Sequence, residues 1–137
     1  SGIFMFIPLF ACSGNQNGGN VSEAAFVEVA SEIYSADEIR AAIEVIIEEF
    51  DRDWEGCTLK EIYYAGDERS SQYQDWYRDL ADRYPYPMDE VIVLLSSFDV
   101  DASGGDGSLN PDSTYNNWSW ILVRGSGGEW QHIDHGY

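Results

Sequence analysis

Three residues with acid–base or metal-binding side chains lie close together near the carboxyl end of the chain: His132, Asp134 and His135. Alternation along a strand places His132 and Asp134 on one face with Trp130, and His135 on the other face. A carboxylate and an imidazole in an aromatic pocket suit general acid–base catalysis, because burial shifts their pKa values. Asp134 and His132 are therefore candidate catalytic residues, and the two histidines are not expected to share one metal ion. The alternative is that His132 is exposed and Asp134 is a structural turn carboxylate.

The loop that begins at residue 99 has the pattern of the first half of a calcium-binding loop. Oxygen-bearing side chains occupy the first, third and fifth places, and Gly104 occupies the sixth, where the chain must turn sharply. The twelfth place is Asn110 instead of the glutamate that supplies two oxygens, so only a looser oxygen cage fits the sequence. The candidate metal ligands are Asp99, Asp101, Ser103 and Asp106. Calcium is the one cofactor that the pattern indicates, and a polar hairpin loop without an ion is the alternative.

Aromatic residues could form a ligand pocket near these side chains. Most of them are expected in the core, but a concave site with aromatic walls and a few polar groups is the usual location of a bound ligand. The candidate pocket residues are Tyr73, Trp76, Tyr77, Trp118, Trp120 and Trp130.

The chain is strongly acidic, with 7 Lys and Arg against 25 Asp and Glu and a formal net charge of −18. This charge repels the phosphates of nucleic acids and of anionic membrane surfaces, so nucleic-acid binding is not expected. The 137 residues fit one domain with its own core. The 5 Trp, 9 Tyr and 6 Phe residues are too many for an acidic disordered tail and indicate a packed or ligand-lined interior.

The amino-terminal sequence has the pattern of an export signal. Residues 2–11 form an uncharged apolar run, too short to span a bilayer but long enough for the apolar part of a signal peptide. Leu9-Phe10-Ala11-Cys12 and the Gly/Asn-rich tether after it resemble the lipobox of bacterial lipoproteins, although Phe10 is bulkier than usual. We therefore predict that Cys12 is acylated and anchors the protein in the lipid bilayer on the extracytoplasmic face of the cell membrane. The alternatives are a truncated transmembrane anchor, or a buried strand with Cys12 in the core.

The predicted domain organisation follows from this pattern. Residues 1–12 are a truncated lipoprotein signal peptide with its lipobox, 13–34 are a flexible tether and lead-in, and 35–137 are the folded domain. Cys57 begins an apolar run and is expected to be a small buried residue, because a reactive thiolate needs a more basic neighbourhood. If Cys12 is not lipidated, the two cysteines could pair in an exported chain.

Hydrophobic periodicity predicts the elements that position these residues. An amphipathic helix spans residues 35–56, with Ser35 and Glu38 forming a capping box and Gly56 ending it. A second helix, with an aromatic face, spans about residues 70–83. Strands are predicted at 58–65, 91–95, 116–124 and 129–135, and a loop at 96–113. The run 91–95 is continuously apolar, which is typical of a central strand covered on both faces.

These elements predict an α+β domain with its helices on one side of an antiparallel sheet. The closing hairpin, Trp120-Ile121-Leu122-Val123-Arg124, a Gly-rich turn and Glu129-Trp130-Gln131-His132-Ile133-Asp134, resembles the cystatin-like superfamily typified by nuclear transport factor two and ketosteroid isomerase. The run 91–94, the loop 104–111 and the terminal Asp134-His135-Gly136-Tyr137 are similar to a group of uncharacterised bacterial lipoproteins in that superfamily. The resemblance implies a cystatin-like cone, in which a curved antiparallel sheet wraps the long helix. It implies no activity, because that fold hosts enzymes and binding proteins alike.

Three functions remain open from the sequence. We expect a lipid-anchored, extracytoplasmic module that binds a small ligand or another protein and has no demonstrable catalysis. The first alternative is a small hydrolase or isomerase that uses Asp134 and His132 in the cone pocket. The second alternative is a surface domain stabilised by calcium.

Overall fold

The structure is a computed structural model that describes residues 19–136, apart from residues 23, 28, 106, 108 and 127. Its helices are α1 (Ala36–Asp53) and α2 (Asp67–Arg78), and a 3-10 turn at Ala81–Arg83 follows α2. Its strands are β1 (Ala25–Val27), β2 (Cys57–Tyr64), β3 (Glu90–Val100), β4 (Ser113–Arg124) and β5 (Gln131–Gly136). The predicted signal peptide with Cys12, and Asp106, lie outside the described residues.

The strands form one sheet in the order β1-β2-β3-β4-β5. Strands β2 to β5 are antiparallel neighbours, and β1 pairs with β2 in parallel. The predicted α+β class with helices packed on an antiparallel sheet is confirmed. Strand β3 is in the centre, as its continuous apolar run predicts.

Helix α1 begins where its sequence predicts and ends three residues before the predicted Gly56. The Ser35 hydroxyl accepts a hydrogen bond from the backbone N–H of Glu38, and the Glu38 carboxylate accepts one from the Ser35 N–H. These two bonds satisfy donors that the first turn would otherwise leave unpaired. The helix ends at Asp53, and Gly56 then adopts a left-handed conformation with φ of 76°. The apolar stripe is buried through Ile39, Ala42, Ile43, Ile46 and Phe50.

The two helices cover opposite faces of the sheet, so the prediction that both lie on one side is wrong. In β3, Ile92 and Leu94 pack in the same core as α1, whereas Val91 and Val93 pack with Tyr77 of α2. Successive side chains of a strand point to opposite faces, so an apolar run without polar interruption needs cover on both. An aromatic helix face predicts burial, but it does not specify which side of the sheet the helix takes.

The lead-in before α1 belongs to the folded domain. Strand β1 extends the sheet, Asn20 bridges to Thr58, and the Gly19 N–H donates to the Phe50 carbonyl at 2.9 Å. The sheet thus includes residues that precede Ser35 in the sequence, although the folded domain is predicted to begin at Ser35. Strands β3 and β4 are longer than predicted. The loop between them is therefore residues 101–112 instead of the predicted 96–113.

Arg124 fastens the start of α1 to the sheet. Its buried guanidinium pairs with the carboxylates of Glu38 on α1 and Glu90 on β3, the latter at 2.6 Å, and stacks on Trp130 at 4.2 Å from the ring centre. Burial alone lowers the pKa of an arginine, but these two carboxylates outweigh it and raise the pKa of Arg124 above its usual value. Removal of Arg124 would leave the two carboxylates without their shared cation, which destabilises the fold.

No helix among the described residues is both long and apolar enough to cross a membrane.

The Phe50→Ala variant tests the contact between α1 and the sheet. Phe50 is fully buried and touches Phe98 and Trp120 at ring-centre distances of 5.7 and 6.5 Å, so its removal leaves a cavity. We expect a loss of about 3–5 kcal/mol in the free energy of unfolding, measured by urea denaturation. The matched control is Trp76→Ala, since Trp76 is 59% exposed, and it should cost about 1 kcal/mol or less. Equal losses in the two variants would contradict the assignment of this core.

Candidate functional site

Both histidines lie on the α1 face of the sheet, so the predicted alternation of His132 and His135 is wrong. Ile121 of β4 pairs with Asp134, but the next residue, Leu122, pairs with His132. Strand β5 therefore contains one extra residue, a β-bulge at Ile133, which shifts the alternation of side chains. The carboxylate of Asp134 consequently points to the opposite face from His132.

The bulge joins the two imidazoles to a glutamate of α1. The Nδ1 atom of His132 lies 2.8 Å from Oε1 of Glu49, and Nε2 of His132 lies 3.3 Å from Nδ1 of His135. The Nε2 atom also lies 3.1 Å from the carbonyl oxygen of Asp134. Only 10% of the His132 side chain and 23% of the Glu49 side chain are exposed, so little water competes with this contact. The result is a continuous chain of polar groups from α1 to the end of β5.

Tryptophan rings surround this chain of polar groups. The Trp120 ring centre lies 5.3 Å from that of His132 and 5.5 Å from that of His135. The His135 ring also contacts Trp118 at 5.8 Å and Trp54 at 5.4 Å. Trp54 is the residue that follows α1, so the end of the helix and the end of the sheet meet at these rings.

A cleft of about 500 Å³ opens where these rings reach the surface. Its lining combines aromatic and apolar side chains with the exposed residues Asp53 and Glu55, and the Asp53 carboxylate accepts a hydrogen bond of 3.1 Å from Nε of the neighbouring Arg52. No lysine or arginine is among the lining residues that the structure describes. The lining residues are Asp53, Trp54, Glu55, Cys57, Gly105, Leu109, Trp118 and His135.

Asp134 contacts α2 instead of this cleft. The Tyr77 hydroxyl donates a hydrogen bond of 2.8 Å to Oδ2 of Asp134. Burial and the Asp134 carboxylate both raise the pKa of Tyr77, so the hydroxyl remains a donor at all ordinary pH values. Since His132 and Asp134 present their side chains to opposite faces, they do not form the acid–base pair that the sequence suggested.

The six aromatic residues expected to line a pocket are divided by the sheet. Trp118 lines the cleft, and Trp120 and Trp130 are buried in the core beneath α1. Tyr73 and Tyr77 pack on the α2 face, and Trp76 contacts both of them at the surface. They therefore do not line one pocket. Cys57 is buried at the start of β2, as its apolar context predicts.

The oxygen atoms of the acidic loop make hydrogen bonds within the protein. Asp99 accepts a hydrogen bond of 2.7 Å from the Thr114 hydroxyl across the β3–β4 pair. Asp101 accepts hydrogen bonds from the backbone N–H and the hydroxyl of Ser103, at 2.8 and 2.5 Å. Within the described part of the chain, no three His, Cys, Asp or Glu side chains form a group that could hold a metal ion. Because Asp106 lies outside that part, the calcium site stays a prediction.

The surroundings lower the pKa of both Glu49 and His135, which favours the charged form of the carboxyl group and the neutral form of the imidazole. Burial opposes ionisation of Glu49, but the hydrogen bond and the charge of His132 outweigh it and hold the Glu49 pKa below the ordinary glutamate value. His135 is exposed on one side, but the tryptophan rings shield its imidazole from water on the other, which lowers its pKa, and the neighbouring His132 lowers it further. Glu49 is therefore an anion at neutral pH, and His135 is held neutral.

Sequence reasoning missed Glu49 and the contribution of Trp54 to the cleft. In the sequence, Glu49 is one of several acidic residues of α1. It lies three residues after Ile46 and just before Phe50, at the border of the stripe, and that position was the available signal. A charged residue there can reach the rim of a sheet that packs beneath it.

No protein family model, no curated protein and no solved structure matches this sequence. The side chains of the cleft therefore carry the functional conclusion, since fold alone does not define an activity.

Folding stability at mildly acidic pH should depend on His135. Its pKa is lowered in the folded protein, so the unfolded chain, with an ordinary histidine pKa of about 6.5, takes up the proton at higher pH. The free energy of unfolding should therefore decrease as the pH falls from about 6.5 toward the folded pKa. We expect His135→Gln to reduce this decrease, measured by urea denaturation with a chelator present.

The carboxylates with lowered pKa values, including Glu49, lose their stabilising effect only below the ordinary carboxyl pKa of about 4.3, so they do not overlap with this window. The same decrease in His135→Gln as in the unmodified protein would show that His135 does not titrate as its surroundings indicate.

Proposed function

We propose that this protein is a lipid-anchored binding module whose cleft takes a small organic cation with an apolar or aromatic part. The observation that carries the proposal is the cleft itself, where Trp54, Trp118 and His135 provide flat aromatic surfaces alongside the carboxylates of Asp53 and Glu55. Aromatic faces and carboxylates both attract cations, and the rings also bury apolar surface. A quaternary or protonated amine on a flat apolar body combines the two chemistries.

The charge of the whole chain supports a cationic ligand. The net charge of −18 raises the local concentration of cations at the surface and repels anions. The carboxylates of Asp53 and Glu55 add to this negative electrostatic potential at the cleft. A binding role fits better than the hydrolase or isomerase alternative, because the Asp134 carboxylate is engaged by Tyr77 on the far face.

The cystatin-like cone is part of the same proposal. Its support is the sheet of β2 to β5, which has a register shift in each of its three antiparallel pairs. Such bulges bend and twist strands, as a sheet must to wrap a helix. The membrane location is supported by the sequence pattern that ends at Cys12, and the anchor would hold the cleft outside the cell membrane.

Lipidation of Cys12 is tested by labelling with radioactive palmitate in a bacterial host, with the charged amino-terminal segment of an export signal fused before the chain. We expect the protein to incorporate the label and the Cys12→Ala variant to lose it, because the thiol is the site of acylation. Cys57→Ala is the matched control, since it removes the other cysteine of the chain and should leave the label in place. Label that remains in Cys12→Ala would contradict the anchor.

Cation binding is tested by titration with benzyltrimethylammonium, followed by tryptophan fluorescence. The control ligand is phenylmethanesulfonate, which has the same benzyl group but carries the opposite charge and should not bind. We expect the double variant Asp53→Asn/Glu55→Gln to bind the cation about tenfold more weakly, a change of about 1.4 kcal/mol.

The matched control is the double variant Glu44→Gln/Glu48→Gln, which removes the same charge from exposed positions of α1 that do not line the cleft. It should bind as the unmodified protein does, apart from a small effect of net charge. Equal weakening in both double variants, or equal affinity for the two ligands, would overturn the cleft as the cation site.

A further inference from the structure

The pair His132 and His135 has a geometry that cation binding in the cleft does not use. These are the two histidines of the chain, and the bulge in β5 brings Nε2 of His132 to 3.3 Å from Nδ1 of His135. Two nitrogens at about 2.0–2.1 Å from a tetrahedral zinc ion lie about 3.3–3.4 Å apart. The separation of these two atoms is thus that of neighbouring ligands on one metal ion.

The Glu49 carboxylate contacts the His132 imidazole at the nitrogen that does not face His135. In metal sites, a ligating histidine commonly donates its other ring N–H to a carboxylate, which fixes the ring and makes the free nitrogen more basic. Glu49 occupies this position, with Oε1 at 2.8 Å from Nδ1 of His132. Glu49 lies at the border of the apolar stripe of α1, and this position holds its partly buried carboxylate against the His132 ring.

Both nitrogens of the His132 ring have polar neighbours. Nδ1 faces the Glu49 carboxylate, and Nε2 faces the Asp134 carbonyl at 3.1 Å and Nδ1 of His135. When Nδ1–H donates to Glu49, Nε2 carries a lone pair that points toward the side of the ring where His135 lies. One divalent cation can then bind the lone pairs of both histidines.

We propose that His132 and His135 form a two-histidine site for a divalent transition-metal ion of the zinc class, supported by Glu49. Imidazole ligands favour Zn²⁺, Ni²⁺ and Cu²⁺ over Mg²⁺ and Ca²⁺. Two protein nitrogens leave the other coordination positions to water or to a molecule in the cleft, since His135 is part of the cleft wall. This site does not depend on the proposed binding of organic cations.

The test is calorimetric titration of the full chain with Zn²⁺ alone, at about 0.15 M salt to screen surface charge. We expect one equivalent to bind. In ¹⁵N-edited spectra of the imidazoles, both histidines should shift with the same saturation curve. Ca²⁺ and Mg²⁺ should produce neither effect.

Three variants locate the ion. His135→Gln should weaken Zn²⁺ binding at least about tenfold, and Glu49→Gln should weaken it about 10–100-fold. Glu48→Gln is the matched control, because Glu48 is the exposed neighbour of Glu49 on α1, and it should leave the affinity unchanged. His135 is itself exposed, so its variant is expected to fold, which circular dichroism would verify.

The proposal is overturned if His135→Gln binds Zn²⁺ as tightly as the unmodified protein, or if only one imidazole shifts. Binding of Ca²⁺ and Zn²⁺ with equal affinity would also overturn it, because that result would place the ions on surface carboxylates.

Discussion

Burial of the apolar stripe of α1 against one face of the sheet is the constraint on which the rest of this structure depends. The helix is long, and its side chains Ile46 and Phe50 reach residues from β2, β3 and β4 in one core. At its start, Arg124 pairs with carboxylates from α1 and β3, so the helix is held at that end by charge. At the other end, Trp54 packs on the rings of the last strands. The cleft lies where this packing stops, beyond the last turn of the helix.

One extra residue in β5 gives that end of the domain its chemistry. Without the bulge at Ile133, regular alternation would send one histidine to each face of the sheet. With it, both imidazoles lie beneath α1, where Glu49 and the tryptophans meet them. The same shift turns Asp134 toward Tyr77, where it ties the edge strand to α2. The bulge thus places both histidines on the α1 face of the sheet and the carboxylate of Asp134 on the α2 face.

Most elements follow from local signals in the sequence, but their arrangement does not. The capping box at Ser35, the stripe of α1 and the two-sided apolar run of β3 depend on short-range spacing, and all three are present. The side of the sheet that α2 occupies depends on packing between distant residues, which spacing does not encode. A bulge cannot be predicted from the sequence of β5 for a similar reason. It is defined by the register with the partner strand β4, and that register decides which face His132 and His135 occupy. The residue types of the candidate site could therefore be predicted from the sequence, but the arrangement of their side chains could not.

The most direct test of this account is a measurement of which side chains surround the two histidines. The chain has only these two, so their ring protons can be assigned in a nuclear Overhauser spectrum without ambiguity. The account predicts that both imidazoles show cross-peaks to the indole of Trp120, and that His135 also shows them to Trp118. Cross-peaks from His135 to Ile121 or Tyr77, on the α2 face, would show that β5 has regular alternation and would contradict the site.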